Sequence, residues 1–284
     1  MLEQDFSQRT VLITGCSSGI GLATAKQLRY RGYKVVTTAR KIDDIQRINQ
    51  MGIPCRFMDY AVPQSITETV NWALEHGNGK IYGLFNNGAY GQPGAVEDLT
   101  RDVLTEQFQS NFFGWHQMTR EVLVHMRKAG EGRIIHNSSV LGIVTLKFRG
   151  AYNSSKFALE GLTDTMRLEL MGSNIFISLV EPGPIESEFR RHAYAKFKQN
   201  IRPDNSAHKQ TYERVEARLS ANDAASQGTG FTLPPEAVAK KVIHALEAEK
   251  PKNRYRVTFP THLFAFLKRL LPSAVLDKLL SKVE

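Results

Sequence analysis

The sequence contains almost no cysteine. Its 284 residues include two, Cys16 and Cys55. Two isolated thiols provide neither the paired spacing of a metal site nor the framework of a disulfide-stapled secreted domain. We therefore predict no metal centre and a reducing compartment, the cytoplasm.

Long apolar runs are also missing. No stretch reaches the roughly 18 apolar residues that a membrane-spanning helix requires. The first ten residues, MLEQDFSQRT, are too polar for a secretory signal. The sequence therefore predicts neither a membrane span nor a secreted protein.

Acidic residues are outnumbered: 28 Asp and Glu stand against 37 Lys and Arg, a formal net charge of +9. Much of the excess lies between Lys240 and Glu284. Nucleic acid would suit this charge, but no basic run is interleaved with stacking aromatics and no known nucleic-acid module is present. We predict no nucleic-acid partner. A phosphorylated cofactor, or a membrane surface met by the C-terminus, accounts for the charge as well.

Short apolar runs alternate with stretches of helical periodicity along most of the chain. Runs of this kind, rich in β-branched and aromatic residues, are typical of strands that are buried on both faces. The alternation predicts an α/β fold in which one doubly wound, Rossmann-type parallel sheet of about seven strands carries helices on both faces. We expect a single domain over 1–284. The seven runs are 10–14, 34–39, 55–59, 81–86, 133–139, 175–181 and 255–259.

Two segments depart from this alternation. About 185–234 there is no strand pattern, and the length suggests a lid over a substrate site; a partly disordered insertion is the alternative. The C-terminal segment, about 261–284, is amphipathic. It is predicted to pack on the domain or at a subunit contact, with contact to a membrane surface as the alternative.

A glycine-rich turn follows the first predicted strand. The stretch TGCSSGIG places Gly15, Gly19 and Gly21 between that strand and a helix. Glycines there allow a sharp turn and a close backbone approach, and the helix N-terminus attracts a pyrophosphate. The spacing differs from the usual G-x-G-x-x-G, and a tight turn without a ligand is the alternative. We predict a dinucleotide site.

The end of the second predicted strand indicates which dinucleotide. NAD-binding chains usually carry a carboxylate there for the ribose 2′-hydroxyl, whereas this chain has Arg40 and Lys41. A guanidinium forms forked hydrogen bonds with a 2′-phosphate. A surface arginine without a ligand is the alternative, but the sequence favours NADP(H).

Three tyrosines precede a lysine by four residues: Tyr30, Tyr152 and Tyr194. The spacing alone does not choose among them. Tyr152 and Lys156 lie in a long helical stretch, where positions i and i+4 share a face. This stretch follows a predicted strand that ends at Ser139, where open α/β sheets place ligands. We therefore predict Tyr152–Lys156 as the catalytic pair.

Six elements in the right order resemble the short-chain dehydrogenase/reductase family, in its shorter single-domain branch. The later EPGPI and 235–257 further resemble the retinol-dehydrogenase-like and 17β-hydroxysteroid-dehydrogenase-like group, which includes NADP-dependent aldehyde reductases. The resemblance covers about residues 8 to 260. Its elements are TGCSSGIG (14–21), NNGA (86–89), Asn111, Ser139, Tyr152-x-x-x-Lys156 and EPGPIES (181–187).

The resemblance implies a carbonyl reduction, or the reverse alcohol oxidation, with Tyr152 as the general acid or base. Lys156 is expected to lower the pKa of Tyr152 and to hold the nicotinamide ribose. Ser139 is expected to hydrogen-bond the substrate oxygen, and Asn111 to anchor a water that relays protons; a helix-bend asparagine is the alternative for Asn111. A homodimer or homotetramer is the expected assembly.

The aromatic residues within 185–231 are expected to line an apolar substrate pocket beside Ser139, together with Tyr90, Leu141 and Phe148. Packing in the core is the alternative for each of them. Hydrophobic aldehydes or ketones follow as the expected substrates.

The resemblance also implies a cofactor site. Ser17, Ser18 and Arg40 would take the 2′-phosphate, and Asp59 the adenine amino group, unless Asp59 simply faces solvent. The remaining predicted cofactor residues are Gly15, Gly19, Ile20, Gly21, Asn87, Gly88, Tyr152, Lys156, Pro182, Gly183, Ile185 and Ser187.

One departure from the family pattern concerns the cofactor. The chain reads Asn-Asn-Gly-Ala at 86–89 where relatives read Asn-Asn-Ala-Gly. Ala89 therefore stands where the backbone normally carries no Cβ, and a slight shift of the cofactor is expected. A non-catalytic NADP-binding sensor or scaffold is the alternative to an enzyme. Such proteins keep the glycine turn and lose the chemical residues, all of which are present here.

Overall fold

The computed structural model describes residues 6–220 and 230–283, and within them one parallel sheet organises the chain. Seven strands lie in the order β3-β2-β1-β4-β5-β6-β7, and each pairs parallel to its neighbours. The predicted doubly wound sheet is therefore confirmed. The strands are β1 Thr10–Ile13, β2 Lys34–Ala39, β3 Cys55–Phe57, β4 Gly83–Asn86, β5 Gly132–Asn137, β6 Ile175–Glu181 and β7 Arg254–Arg256.

Helices cover both faces of this sheet. A five-residue π turn, Gln109–Phe113, joins α4 to α5. The helices are α1 Gly19–Tyr30, α2 Ile42–Gln50, α3 Pro63–His76, α4 Arg101–Phe108, α5 Gly114–Ala129, α6 Gly150–Glu169, α7 Phe189–Asn200, α8 Lys209–Ser220, α9 Glu236–Glu247, α10 Phe259–Leu270 and α11 Ser273–Leu280.

The side chains of β1 show how one strand supports two cores. Val11 and Ile13 pack in a core with Leu28 of α1 and Leu246 of α9. Leu12, which points to the opposite face because side chains alternate along a strand, packs in a second core with α3, α5 and α6. This arrangement explains why the strand sequence is continuously apolar rather than alternating.

The order of strands reverses beside β1, since β2 lies on one side of it and β4 on the other. In open α/β sheets a crevice forms outside the carboxyl ends of the strands at such a reversal, and ligands bind there. The glycine-rich turn follows β1, and 87–88 follow β4. The topology therefore brings these two predicted segments to one crevice.

The segment expected to be a lid is largely helical where it is described. It contains α7 and α8, and an isolated parallel bridge joins Ile185 to Leu233. Phe197, Ile201 and Tyr212 form a small apolar cluster with Ala95. The cluster attaches the two helices to the loop that follows β4. The predicted part at 221–229 lies outside the described residues.

The C-terminal helices pack on the sheet domain through their inner face. Leu276 and Leu280 of α11 form a cluster with Val144, and Phe264 and Leu267 of α10 pack against it. The prediction of a helix packed on the domain is therefore correct for this face. Among the described residues, no helix is long and apolar enough to cross a membrane.

Candidate active site

The glycine-rich turn has a backbone that only glycine fits. Gly15 has φ +66° and Gly19 has φ +54°, in the left-handed region. A Cβ on Gly15 would lie 2.4 Å from Gly88 Cα, and one on Gly21 would lie 2.4 Å from the Gly15 carbonyl oxygen. Helix α1 begins at Gly19, and no side chain caps its first N–H groups. The turn thus presents free donors to an anion.

Two asparagines brace this turn from the neighbouring strands. Asn87 donates through Nδ2 to the carbonyl oxygens of Thr14 and Gly15, both at 3.0 Å. Asn137 Nδ2 in turn donates to Asn87 Oδ1 at 2.9 Å. The Asn87 side chain is therefore committed to the protein, and it holds the shape of the turn.

The Asn-Asn-Gly-Ala departure has a local reason. Gly88 lies against Gly15, so closely that a Cβ on Gly88 would be 3.3 Å from Gly15 Cα. Trp115 Nε1 donates to the Gly88 carbonyl at 2.9 Å. Ala89 packs against the core beneath α5. Glycine is thus placed where two backbones meet, and the extra methyl group lies in the core.

A second cation, Arg47, lies beside the predicted 2′-phosphate site, and the sequence did not indicate it. Arg47 of α2 donates to the Ser17 carbonyl at 2.5 Å and pairs with Asp44 at 2.8 Å. Arg40 is 56% exposed, and its Nη1 lies 3.9 Å from Asp59 Oδ2. Asp59 also accepts from the Ala61 N–H. Two arginines therefore flank the turn, and nothing in the sequence marks Arg47 apart from other helical arginines.

Ser139, Tyr152 and Lys156 meet beyond the carboxyl end of β5. Lys156 is fully buried, donates to the Asn137 carbonyl at 2.7 Å, and lies over the Trp115 ring at 4.2 Å and the Tyr152 ring at 5.7 Å. Ser139 Oγ accepts from the Leu141 N–H at 3.1 Å. Since that lone pair is used, the serine hydrogen is directed to another acceptor, either the Tyr152 oxygen or a bound carbonyl oxygen.

The surroundings of Tyr152 raise its pKa, whereas a lowered pKa was expected. Burial raises the pKa of Tyr152 to about 12, although a hydrogen bond from Ser139 and the charge of Arg149 lower it. Burial lowers the pKa of Lys156 to about 7, although Glu160 raises it. Desolvation thus outweighs the hydrogen bond and the Arg149 charge at Tyr152, and the Glu160 charge at Lys156. The prediction that Lys156 brings the pKa of Tyr152 near neutrality was therefore wrong for the protein alone.

Asn111 lies in the π turn between α4 and α5 and clamps a peptide group. Its Nδ2 donates to the Tyr90 carbonyl at 2.8 Å, and its Oδ1 accepts from the Tyr90 N–H at 3.2 Å. The side chain also reaches Ser155 Oγ at 3.5 Å. This geometry fits the alternative of a helix-bend asparagine, and the water relay through Asn111 stays a prediction.

The segment after β6 is held tightly against the site. A Cβ on Gly183 would lie 2.1 Å from Thr258 Oγ1, and Pro182 accepts from the Val140 N–H at 2.8 Å. Ser187 lies opposite Gly19, 3.3 Å from the Cβ that an alanine there would carry. The 181–187 segment therefore closes the crevice opposite the glycine-rich turn. Ile185 belongs to it and is anchored by its bridge to Leu233.

A buried ionic cluster that the sequence did not indicate supports this segment. Glu181 is fully buried and lies 3.0 Å from Arg254 and 3.4 Å from Arg256. Arg254 also pairs with Glu160, one helical turn beyond Lys156, at 3.1 Å. Burial and the charge of Glu160 raise the pKa of Glu181 to about 7 despite the two arginines. An ion pair thus connects strand β7 to α6, the helix that carries Tyr152 and Lys156.

The predicted apolar substrate pocket was only partly correct. Phe189 covers Tyr152, with ring centroids 5.3 Å apart. The narrow cavity at this point is lined by Gln92, Arg149, Tyr152 and Phe189, among others. Phe197 and Tyr212 instead form the small core that fixes α7 and α8, because an aromatic pattern does not distinguish a core from a pocket. Phe231 stacks on Phe259, outside this cavity.

The other two tyrosine–lysine pairs lie elsewhere. Tyr30 ends α1 and is 94% exposed. Tyr194 and Lys198 lie on α7, which was expected to be irregular, and Lys198 pairs with Glu216 at 2.8 Å. Of the three pairs, Tyr152–Lys156 is the one beside a strand end and a serine.

The buried Lys156 predicts an unusual dependence of stability on pH. A cation whose folded pKa is about 7, below its usual 10.5, costs the fold most below pH 7, and the cost disappears as pH rises towards 10.5. We expect Lys156→Met to raise the free energy of unfolding by about 2–4 kcal/mol at pH 6. The gain should shrink by pH 10, as measured by urea denaturation across pH.

Lys198→Met is the matched control, because Lys198 is solvent-exposed and should show no such trend. A Lys156→Met gain that stays constant with pH would contradict a buried, titrating ammonium.

Comparisons with known sequences identify the family of the chain. Residues 9–198 match the profile of the family described as short chain dehydrogenase. The chain is 42% identical to uncharacterized oxidoreductase YbbO of Escherichia coli (96% of this chain, 94% of the relative). It is 32% identical to bovine retinol dehydrogenase 8 (94% and 87%). It is 31% identical to an NADPH-dependent 3-dehydrocapnine reductase of Ornithobacterium rhinotracheale (96% and 96%).

A solved structure matches the fold over almost its whole length. A short chain dehydrogenase/reductase from Burkholderia phymatum, in complex with NAD, superposes with a TM-score of 0.77 at 21% identity. The match covers 99% of this chain and 98% of that protein. At this identity the likeness concerns the fold.

Proposed function

The chain belongs to the short-chain dehydrogenase/reductase family and is an oxidoreductase, and from this premise we propose that it reduces a hydrophobic aldehyde or ketone to the alcohol, or runs the reverse reaction, with NADP(H). The observation that carries the proposal is the meeting of Ser139, Tyr152 and Lys156 at the carboxyl end of β5. There a bound carbonyl would face the crevice that opens at the glycine-rich turn.

The crevice fits a nicotinamide dinucleotide. The glycine-rich turn has no room for a Cβ at Gly15 or Gly21. The N-terminus of α1, which no side chain caps, follows this turn and can bind a phosphate. Gly19, Ile20 and Ser18 would contribute the first N–H groups of α1. Pro182, Gly183, Ile185 and Ser187 would border the nicotinamide, and Lys156 would hold its ribose through donors that Asn137 does not use.

Hydride transfer is the chemistry that a bound nicotinamide would supply, and the proton would be transferred by the side chains of this chain. Tyr152 donates its phenolic proton to the carbonyl oxygen as negative charge develops there. Ser139 donates a hydrogen bond to the same oxygen and orients the carbonyl. Because burial keeps the pKa of Tyr152 high, the phenol is protonated at neutral pH, which is the state in which it can donate a proton to a carbonyl oxygen. The positive charge of a protonated Lys156, or of an oxidised nicotinamide ring, would make the phenol more acidic for the reverse direction.

We propose NADP(H) rather than NAD(H) because two arginines flank the turn and no carboxylate ends β2. Arg40 follows β2 directly, and Arg47 contacts the Ser17 carbonyl. A 2′-phosphate placed beside Ser17 and Ser18 would bind both guanidinium groups. The 3-dehydrocapnine reductase named above is NADPH-dependent, whereas the Burkholderia structure contains NAD.

A charge reversal tests the cofactor proposal. We expect Arg40→Asp to raise the KM for NADPH by roughly 10- to 100-fold, because a charge-assisted hydrogen bond is replaced by repulsion. The KM for NADH should change little or fall, because the new carboxylate can accept from the ribose 2′-hydroxyl. Steady-state kinetics with both cofactors provide the measurement.

Arg56→Asp on β3 is the control, since Arg56 pairs with Glu68 instead. An Arg40→Asp enzyme that keeps its preference for NADPH would contradict the assignment.

We propose an apolar carbonyl substrate because Phe189 and the backbone of Gly91 enclose Tyr152. The relative named retinol dehydrogenase 8 supports this class. The experiment is consumption of NADPH with a panel of long-chain aldehydes, ketones and steroids against short polar carbonyls. Consumption restricted to polar carbonyls would contradict the proposal.

The remaining proposals concern organisation. We propose that 1–284 form one domain, that α7 and α8 act as the substrate lid within 185–234, and that the protein works in the cytoplasm as a homodimer or homotetramer. We propose that the protein has no nucleic-acid partner. We also propose that it contacts a membrane peripherally through its C-terminus. Phe189 of α7 lies over the Tyr152 ring, and we propose that this helix moves when a substrate enters.

A further inference from the structure

Helix α10 is apolar on its outer face as well as its inner one. Thr261 and Ala265 are buried against the domain, yet four large apolar side chains point to solvent at spacings of four, three and four residues. They form one stripe along the helix. This outer stripe consists of Phe259, Leu263, Phe266 and Leu270, which are 60%, 38%, 61% and 64% exposed.

The outer stripe continues onto Phe231, and the following helix α11 carries further exposed apolar residues. Phe231 is 49% exposed and stacks on Phe259 with ring centroids 5.3 Å apart. Val275 and Leu279 of α11 are 47% and 41% exposed. Single exposed apolar residues are ordinary, whereas a contiguous group of this kind marks an interaction surface.

The charges around the outer stripe are mostly positive. Arg269, Lys278 and Lys282 are exposed and make no salt bridge with any residue in the described part of the chain. Among 258–283, Asp277 is the one acidic residue. A second copy of the chain on this face would bring like charges together, which is unfavourable. Anionic lipid headgroups complement the cations, and acyl chains complement the stripe.

The outer stripe also begins beside the candidate active site. Thr258, immediately before Phe259, contacts Gly183 of the segment that closes the crevice. Leu233, two residues after Phe231, pairs with Ile185 of the same segment. A surface seated on the stripe would therefore face the side of the molecule where the 181–187 segment and the lid meet.

We propose that α10 and α11 dock the protein peripherally on an anionic membrane surface, with the outer stripe inserted between headgroups and Arg269, Lys278 and Lys282 contacting the phosphates. This orientation places the 181–187 segment close to the bilayer. The exposures and charges given above support the docking surface by themselves. Its role in delivering an apolar carbonyl to Tyr152 rests on the proposed function.

Vesicle co-sedimentation of the full chain tests the proposal. We expect binding to vesicles of phosphatidylcholine mixed with phosphatidylglycerol, and much weaker binding to phosphatidylcholine alone. Phe266→Ser with Leu270→Ser should reduce binding at least tenfold, because two apolar side chains no longer insert. The matched control is Leu168→Ser with Met171→Ser, which removes a pair that is 63% and 76% exposed at the end of α6 and should bind normally.

A charge variant gives an independent arm. Arg269→Gln with Lys278→Gln and Lys282→Gln leaves the apolar stripe intact, and we expect it to lose roughly 100-fold in affinity for anionic vesicles. NADPH oxidation with a water-soluble aldehyde should be unchanged in both sets of variants. That readout separates failure of docking from failure of the proposed chemistry.

Three results would overturn the proposal. The first is absence of wild-type binding to anionic vesicles. The second is equal binding by the stripe variant and its control. The third is a wild-type dimer that does not bind vesicles and that dissociates in the stripe variant, as measured by sedimentation velocity. A second copy of the chain would then cover the stripe.

Discussion

Tyr152→Phe is expected to lower kcat for carbonyl reduction by about 10²–10⁴-fold, the usual contribution of a general acid, while NADPH binds normally. The substitution removes one oxygen and keeps the ring that packs against Phe189. Fluorescence titration of NADPH and steady-state kinetics with the best aldehyde of the panel give the two readouts. A loss of kcat without a loss of binding assigns Tyr152 to the chemical step.

The chain offers its own control for this experiment. Tyr194 also precedes a lysine by four residues on a helix, but it lies on α7 with Lys198 and Glu216. Tyr194→Phe should leave kcat within about twofold, since a surface substitution of this kind changes little. Equal activity of Tyr152→Phe and wild type would support the alternative of a sensor or scaffold that binds NADP without using it.

Gly15→Ala is expected to abolish measurable NADPH binding and to lower the free energy of unfolding by about 3 kcal/mol or more. The left-handed φ of +66° accounts for part of this cost, and a Cβ only 2.4 Å from Gly88 Cα accounts for the rest. The two backbones must separate, and the turn then loses the shape that a pyrophosphate requires. Titration with NADPH and urea denaturation measure the two effects.

Gly130→Ala separates the two causes. Gly130 has a similar φ of +73°, but nothing lies within 4 Å of the added Cβ. It should cost only about 1–2 kcal/mol and leave NADPH binding unchanged. If Gly15→Ala behaved like Gly130→Ala, the close contact between Gly15 and Gly88 would not be essential to the cofactor site.

The sequence was sufficient where local pattern and topology determine the outcome. The near-continuously apolar runs of β1 and β4 fit the middle of a parallel sheet, where both faces of a strand are buried. Gly15 and Tyr152 were recognisable because each follows a buried strand. Strand ends, rather than the short motifs themselves, made the prediction of the site specific.

Long-range pairing was beyond the reach of the sequence. Glu181 and Arg254 meet because β6 and β7 are neighbours in the sheet, and no local pattern records that neighbourhood. Arg47 reaches Ser17 across the gap between α2 and the glycine-rich turn. Phe197 and Tyr212 were expected to contact the substrate, yet they fill a core that exists only once α7 and α8 have packed together.

The pKa of Tyr152 shows the same limit in electrostatic form. The i and i+4 spacing correctly places an ammonium near a phenol, but the balance between attraction and desolvation depends on burial that the spacing does not contain. In the folded chain desolvation prevails, and the Lys156 ammonium lies against Trp115 and the Asn137 carbonyl. The phosphates of a bound cofactor would raise the pKa of Lys156 and so keep its ammonium charged beside the phenol.

Transfer of deuterium from NADPH labelled at C4 of the nicotinamide tests the central claim most directly. If Ser139 and Tyr152 hold a carbonyl against the cofactor, the alcohol should carry deuterium at its carbinol carbon, one atom per NADPH consumed and from a single face. Label appearing in solvent, or NADPH that binds but never reduces any aldehyde or ketone in the panel, would contradict the account.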